Sequence, residues 1–183
     1  MIVNASLDIG VNDATTITFF TGEPIIVDYE EITGGGMDKA FGKIFERGYE
    51  IGHIIFPHDG RVREWGSGAL RRSEIAWLDY GIRVYVCPRI SESDMIGVAR
   101  NFFKIIKVDK KKCERLLDCL QSYREEYNAR TGSFTGRPVH DWSSHGAKSF
   151  IYAAMAYFSG DLDFKNYSSL KMELLEKCAR GSN

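Results

Sequence analysis

Asn4-Ala5-Ser6-Leu7-Asp8-Ile9-Gly10-Val11 is an aliphatic and β-branched run with a single aspartate set into it. Successive side chains of a strand point to opposite faces. If Leu7 and Ile9 face a core, Asp8 therefore projects on the other side. Residues 15–20 follow as Thr-Thr-Ile-Thr-Phe-Phe, an alternation that suits a half-buried strand. Thr21-Gly22-Glu23-Pro24 has the composition of a turn, and residues 25–32 read as a third strand. Connections this short make the three strands antiparallel neighbours.

The period then changes. Gly34-Gly35-Gly36 breaks the chain, and residues 37–47 carry Met37, Ala40, Phe41, Ile44 and Phe45 at helical spacing, with Gly48 placed to end the helix. His53-Ile54-Ile55-Phe56, closed by Pro57, reads as a buried strand, and the helix before it permits a crossover that lays it parallel to the first strand. A helix is expected over 69–80, a fifth strand over 82–87 and helices over 91–106, 109–130 and 144–158, with Asp109 as an N-cap and residues 131–137 as a loop. Residues 1–160 then form one domain, and 161–183 an appendage with a weak helix over 170–179. The expected architecture is α/β: a mixed five-stranded sheet of three antiparallel strands followed by parallel ones, flanked by helices. Ribonuclease H-like nucleases share this order.

Composition removes several classes of function. The 183 residues are 44% hydrophobic and 27% charged, ordinary for a globular chain and too apolar for a disordered one. Lys and Arg number 24 against 25 Asp and Glu, so a polybasic tail is excluded while a local basic stripe is not. No apolar run approaches the roughly 20 residues that span a bilayer, and the N-terminal residues lack the pattern of a signal peptide. No G-x-x-x-x-G-K-[ST] element is present, so P-loop ATP hydrolysis is not expected. Cys87, Cys113, Cys119 and Cys178 form no C-x-x-C pair and are read as reduced thiols.

Two carboxylates stand at strand ends. Asp8 lies in the first strand, and Asp59 follows the fourth in Phe56-Pro57-His58-Asp59-Gly60. If the two strands are adjacent and parallel, both groups emerge at one sheet edge. Neighbouring carboxylates repel unless a cation lies between them or one takes a proton. Hard oxygen donors suit Mg²⁺ or Mn²⁺, and two such ions about 4 Å apart activate water and stabilise the leaving oxygen of a phosphodiester. An aspartate on a strand also serves a solvated face, and one before glycine also serves a turn.

Leu7-Asp8-Ile9-Gly10-Val11 with Asp13-Ala14-Thr15, Pro57-His58-Asp59-Gly60-Arg61, Tyr123-Arg124 and Pro138-Val139-His140-Asp141-Trp142-Ser143-Ser144-His145-Gly146-Ala147 together resemble the C-terminal nuclease domain of the large terminase subunit of tailed bacteriophages. The pieces fall in the family's order over residues 5–158. The Pro-His-Asp-Gly and His-Asp-Trp-Ser-Ser-His pieces are the specific ones. The resemblance implies a ribonuclease H-like fold and a metal-dependent endonuclease that cuts concatemeric double-stranded DNA during genome packaging in the host cell cytoplasm, with two Mg²⁺ or Mn²⁺ ions. It implies as partners a packaging ATPase domain, a small terminase subunit and a portal. It makes Asp8 the first metal ligand and Asp59 the second, with Asp13 an outer ligand or a group that holds water.

The resemblance also exposes a departure. The family's third acid falls three residues after the histidine of Ser-His-Gly-Ala, and here that residue is Lys148. A lysine in a helix's first turn opposes the macrodipole. Its ammonium either partly neutralises Asp8 and Asp59 or snorkels to solvent. Three outcomes follow: Asp141 or His145 completes the site, one metal is bound and cleavage is slow, or the site is inactive and the fold serves as a DNA- or portal-binding module. His145 is a candidate metal ligand or proton shuttle. A branched-DNA resolvase would share the acids but not the His-Asp-Trp-Ser-Ser-His stretch. His58 and His140 read as structural and Trp142 as core. Arg61, Arg63, Arg71 and Arg72 flank Gly66-Ser67-Gly68 and are candidates for phosphate contact, whereas Lys110-Lys111-Lys112 reads as a solvated face.

Overall fold

The computed structural model describes residues 1–10, 14–34, 36–61, 63–64, 70–71, 73–76 and 84–162. The expectations for Asp13, Arg72, residues 77–83 and the appendage from 163 onward fall outside the described residues.

Strands β1 (Ile2–Asp8), β2 (Ala14–Phe20) and β3 (Ile25–Thr33) form the expected antiparallel meander. Helix α1 (Gly36–Glu46) follows, and Gly48, at φ 68°, closes it with its amide on the Phe45 carbonyl at 3.0 Å. The crossover returns the chain as β4 (Glu50–Phe56), parallel to β1. A 3-10 turn (His58–Arg61) leads into a small hairpin of β5 (Arg63–Glu64) and β6 (Leu70–Arg71). Strand β7 (Val84–Val86) runs parallel to β4. Helix α2 (Glu92–Phe103), β8 (Lys107–Val108), helix α3 (Glu114–Ser122), a hairpin of β9 (Glu125–Asn128) and β10 (Ser133–Pro138), and helix α4 (Trp142–Phe158) complete the order.

Among the described residues the main sheet has six strands, in the order β7-β4-β1-β2-β3-β8. The sixth, β8, adds parallel to β3 through the register Ile25↔Lys107 and Ile26↔Val108. Two residues are too few to show an alternation, and these two fall between the helices expected over 91–106 and 109–130. Of the helix expected over 69–80, residues 73–76 are helical, while residues 70–71 belong to β6.

The helix expected over 109–130 is the largest correction. Asp109 caps a turn instead, its Oδ1 accepting from the amides of Lys111 (3.1 Å) and Lys112 (3.2 Å). The helix proper ends when Tyr123 turns extended. The remainder, with the expected loop 131–137, pairs as the β9–β10 hairpin. Gly132, at φ 67°, makes its turn possible. Tyr127 and Phe134 pack edge-on across it at 5.3 Å, an aromatic cross-strand pair in a segment that propensity alone leaves undecided.

Each face of the sheet carries its own core. Val3, Ala5 and Leu7 join Ile17, Phe19, Ile54 and Phe56 beneath Phe41 and Ile44 of α1. On the opposite face, Phe20, Ile26, Tyr29 and Ile55 pack with Phe102, Leu116, Phe150 and Ile151 of the other helices. Odd residues of β1 thus meet α1, and Ser6 and Asp8 point toward α4.

Helix α4 docks through polar pins. Ser6 Oγ donates to the Ser149 carbonyl at 2.8 Å, Thr18 and Ser149 share a hydroxyl contact at 2.8 Å, and Thr16 Oγ1 donates to the His145 carbonyl at 2.8 Å. Gly146 sits where an added Cβ would meet Tyr29 Oη at 2.6 Å and Cys119 Sγ at 2.7 Å. The Gly146→Ala variant is expected to lose about 1–3 kcal/mol by overpacking, lowering Tm by about 5 °C in a circular-dichroism melt. An unchanged melt would contradict the close approach.

Candidate active site

The register of β1 and β2 sets the site. Ser6 lies opposite Thr18, and Asp8 opposite Thr16. Two residues along a strand advance about 6.6 Å and one helical turn about 5.4 Å. His145 and Ser149, one turn apart, can therefore bond to two successive rungs. Because Thr16 holds the His145 backbone, the imidazole falls beside Asp8: His145 Nδ1 lies 3.6 Å from Asp8 Oδ2, with the two side chains only 15% and 20% exposed.

Asp59 arrives from β4. The 3-10 turn folds back so that the Gly60 amide bonds the Pro57 carbonyl at 2.9 Å. Gly60 lies so close to Phe56 that an added Cβ would meet its Cβ at 2.9 Å, which explains the glycine after the aspartate. The Asp59 Oδ1 atom is shielded from solvent. Burial holds the Asp8 carboxyl above the usual carboxylate range, against the lowering influence of His145 and Lys148, and the charge of Asp59 pushes it up further. The two aspartates thus share one electrostatic neighbourhood at the carboxyl ends of adjacent parallel strands.

Lys148 does not extend to solvent. Its side chain is 21% exposed, and its Nζ donates to Glu92 Oε1 at the start of α2. Tyr123 Oη donates to the same oxygen at 3.2 Å. Sequence reasoning missed Glu92, since an acid after a serine N-cap reads as ordinary helix-start chemistry. Its place after β7, the strand beside β4, was the signal available. Tyr152, buried alongside, has its hydroxyl pushed well up by burial and then by the charges of Asp8, Asp59, Cys87 and Glu92.

Asp141 is engaged elsewhere. It is the N-cap of α4, with Oδ1 accepting from the Ser143 amide at 2.9 Å and the Ser143 hydroxyl at 2.6 Å, and Oδ2 paired with Arg124 at 2.9 Å. The Ser143 hydroxyl bond is the main cause that holds its carboxyl below the usual range. His140 bonds Ser144 Oγ through Nδ1 at 3.2 Å and packs edge-on against His145 at 5.2 Å, while His58 is exposed. Trp142 is not core: it is 45% exposed, with the Arg115 guanidinium 4.4 Å from its ring centroid. A bulky apolar residue at a helix's first position faces outward here because Ser143, Ser144 and Gly146 take the inner face.

Of the four arginine candidates, Arg71 is exposed in β6, its position directly opposite Arg63 in β5. Arg61 lies in the 3-10 turn. Lys110, Lys111 and Lys112 are exposed as expected, with Lys112 Nζ on Tyr49 Oη at 3.0 Å. Cys87, Cys113 and Cys119 are buried free thiols, and burial pushes Cys87 up to about 12.

The donors fit a hard divalent cation of the kind that binds through one or two carboxylates and keeps water and substrate oxygens as its other ligands. Asp8 ends β1, Asp59 follows its parallel neighbour β4, and the charge of Asp59 reaches Asp8. Among the described residues, no group of three or more His, Cys, Asp or Glu side chains gathers to hold a metal. No described helix is long and apolar enough to cross a membrane.

No protein-family profile and no curated protein matches the chain. Solved structures do. The nuclease domain of the large terminase from bacteriophage SPP1, with bound Mn, is 14% identical and superposes with a TM-score of 0.59, covering 88% of each chain. The large terminase nuclease from the thermophilic phage G20c, with bound cobalt, is 21% identical with a TM-score of 0.56, covering 84% of this chain and 80% of that one. A large terminase from another thermophilic bacteriophage, in complex with ATP-gamma-S, is 16% identical with a TM-score of 0.58, and the match spans 83% of this chain but only 39% of the longer one. The fold is thus that of large-terminase nuclease domains, a mixed α/β sheet of the ribonuclease H-like kind.

Because ionised Asp8 is disfavoured in the folded state, its effect on stability worsens as pH rises through its elevated range. Without divalent ions at pH 8, Asp8→Asn is expected to raise Tm by about 2 °C. A drop of that size would contradict the cost of burying an ionised carboxyl at this position.

Proposed function

We propose that this chain is the nuclease part of a phage large terminase, a metal-dependent endonuclease acting on concatemeric double-stranded DNA during packaging. The observation that carries the reading is the convergence of Asp8 and Asp59 at the ends of β1 and β4, in a fold whose solved counterparts hold Mn or cobalt. Asp8 and Asp59 would hold Mg²⁺ or Mn²⁺. When bound, such an ion polarises a phosphodiester and lowers the pKa of water.

The protein's own groups divide the remaining work. Asp8 and Asp59 supply hard oxygens in a largely enclosed site. His145, whose Nδ1 lies 3.6 Å from Asp8 Oδ2, would hold or move a proton. Asp141 organises the helix start that carries His145 and is not needed as a ligand. With Lys148 at the third acidic position, the donor set favours one strongly held ion over two. Arg61, Arg63, Arg71 and Arg72 would contact phosphates without reading sequence, and Asp13 would hold water near the ion. A packaging ATPase domain, a small subunit and a portal would be its partners in the host cell cytoplasm. The reading with an impaired site that only grips DNA or the portal draws on the Lys148–Glu92 pair, which introduces a cation beside the carboxylates.

Supercoiled plasmid should be nicked with Mn²⁺ and spared with EDTA. Asp8→Asn and Asp59→Asn should each cut the rate at least about a hundredfold, and Lys148→Asp should raise it. Nicking that survives EDTA, or that ignores Asp8→Asn, would contradict the proposal. No nicking by the wild-type chain or by Lys148→Asp, with DNA binding intact, would favour the binding module. Arg71→Ala should weaken binding equally across DNA sequences and reduce the salt slope by about 0.9, read by fluorescence anisotropy at several salt concentrations.

A further inference from the structure

We propose that Glu92 is a positioning residue that holds the Lys148 ammonium off Asp8 and Asp59, and so keeps that carboxylate pair open to a divalent ion. The role rests on the metal-site reading above and adds to it a residue from the first turn of α2.

The geometry supports this in three ways. First, Lys148 lies on α4 just beyond Gly146-Ala147, largely buried, and its charge reaches Asp8. A lysine carries a compact charge on a flexible four-carbon stem. A buried ammonium needs an acceptor, and Asp8 and Asp59 are the acids at the adjoining strand ends. Second, Glu92 supplies that acceptor from the other side, in the first turn of α2, where Ser91 caps the helix and the helix end favours an acid. Third, Glu92 is itself fixed. Tyr123 Oη, at the junction of α3 and β9, donates to the oxygen that Lys148 uses. Burial and then the Glu92 charge push the Tyr123 hydroxyl well above its ordinary range, so it stays a donor at working pH. Helix α4, through Lys148, and the α3–β9 junction, through Tyr123, thus converge on the Glu92 carboxylate of α2. Without Glu92, Lys148 would turn to the aspartates and compete with a dication for the same oxygens.

Mn²⁺ titrations of the intact chain, read by electron paramagnetic resonance beside thermal melts, test the role without any catalytic assay. Glu92→Gln keeps the acceptor for Tyr123 but removes the counter-charge, and should weaken Mn²⁺ binding about tenfold, as one freed positive charge near the site would. Adding Lys148→Met to Glu92→Gln should restore wild-type affinity or better. Tyr123→Phe, which loosens Glu92 without altering a charge, should weaken binding by a smaller factor. Unchanged affinity in Glu92→Gln, or a loss that Lys148→Met does not recover, overturns the positioning role and leaves the metal site standing. Absence of Mn²⁺ binding in the wild-type chain and in Lys148→Met alike overturns the metal-site reading, and the positioning role with it.

Discussion

The hydroxyl of Ser149, buried between α4 and the sheet, is shared with Thr18, while the Ser149 carbonyl accepts from Ser6 and the carbonyl of His145 accepts from Thr16. These contacts fix both the height and the rotation of α4 over β1 and β2. Apolar packing alone would let a helix rich in alanine slide or turn. Buried hydroxyls do not allow that, because each lost partner costs about 1–3 kcal/mol. The helix start, with Asp141 as its cap and Gly146 pressed against Tyr29 and Cys119, is thereby locked in register with Asp8.

From that register the chemistry of the site follows. Asp8 cannot move away from Asp59, because it sits at the last rung of a central strand. It cannot escape His145 either, whose backbone is tied to the residue opposite. Burying one carboxylate near another is unfavourable unless a positive charge arrives. The chain supplies a partial one in Lys148 and then binds that lysine to Glu92. The outcome is a balanced cluster of charges at the carboxyl ends of three parallel strands, the region where open α/β sheets place their ligands.

Much of this was legible in the residues. The Thr-Ile-Thr-Phe alternation and the short turns gave the meander, and the Pro57 stop with the preceding helix gave β4 parallel to β1. Residues 123–138 were not legible: Glu, Tyr, Asn and Arg sit comfortably in helix or strand, and only the Tyr127–Phe134 pairing decides. Glu92 stayed hidden because its partner is 56 residues away, and helix-start acids are common. Trp142 misled for a related reason, since side-chain size predicts burial only when small residues do not already fill the inner face.

On the proposed reading, Asp8 and Asp59 together bind a divalent cation while Glu92 holds Lys148 aside. A crystal soaked in Mn²⁺ and measured at the manganese absorption edge tests it most directly. An anomalous peak contacting both carboxylates is expected, with the Lys148 ammonium still on Glu92. A map with no peak at those oxygens, and Lys148 bonded to Asp8 or Asp59 in its stead, would contradict it.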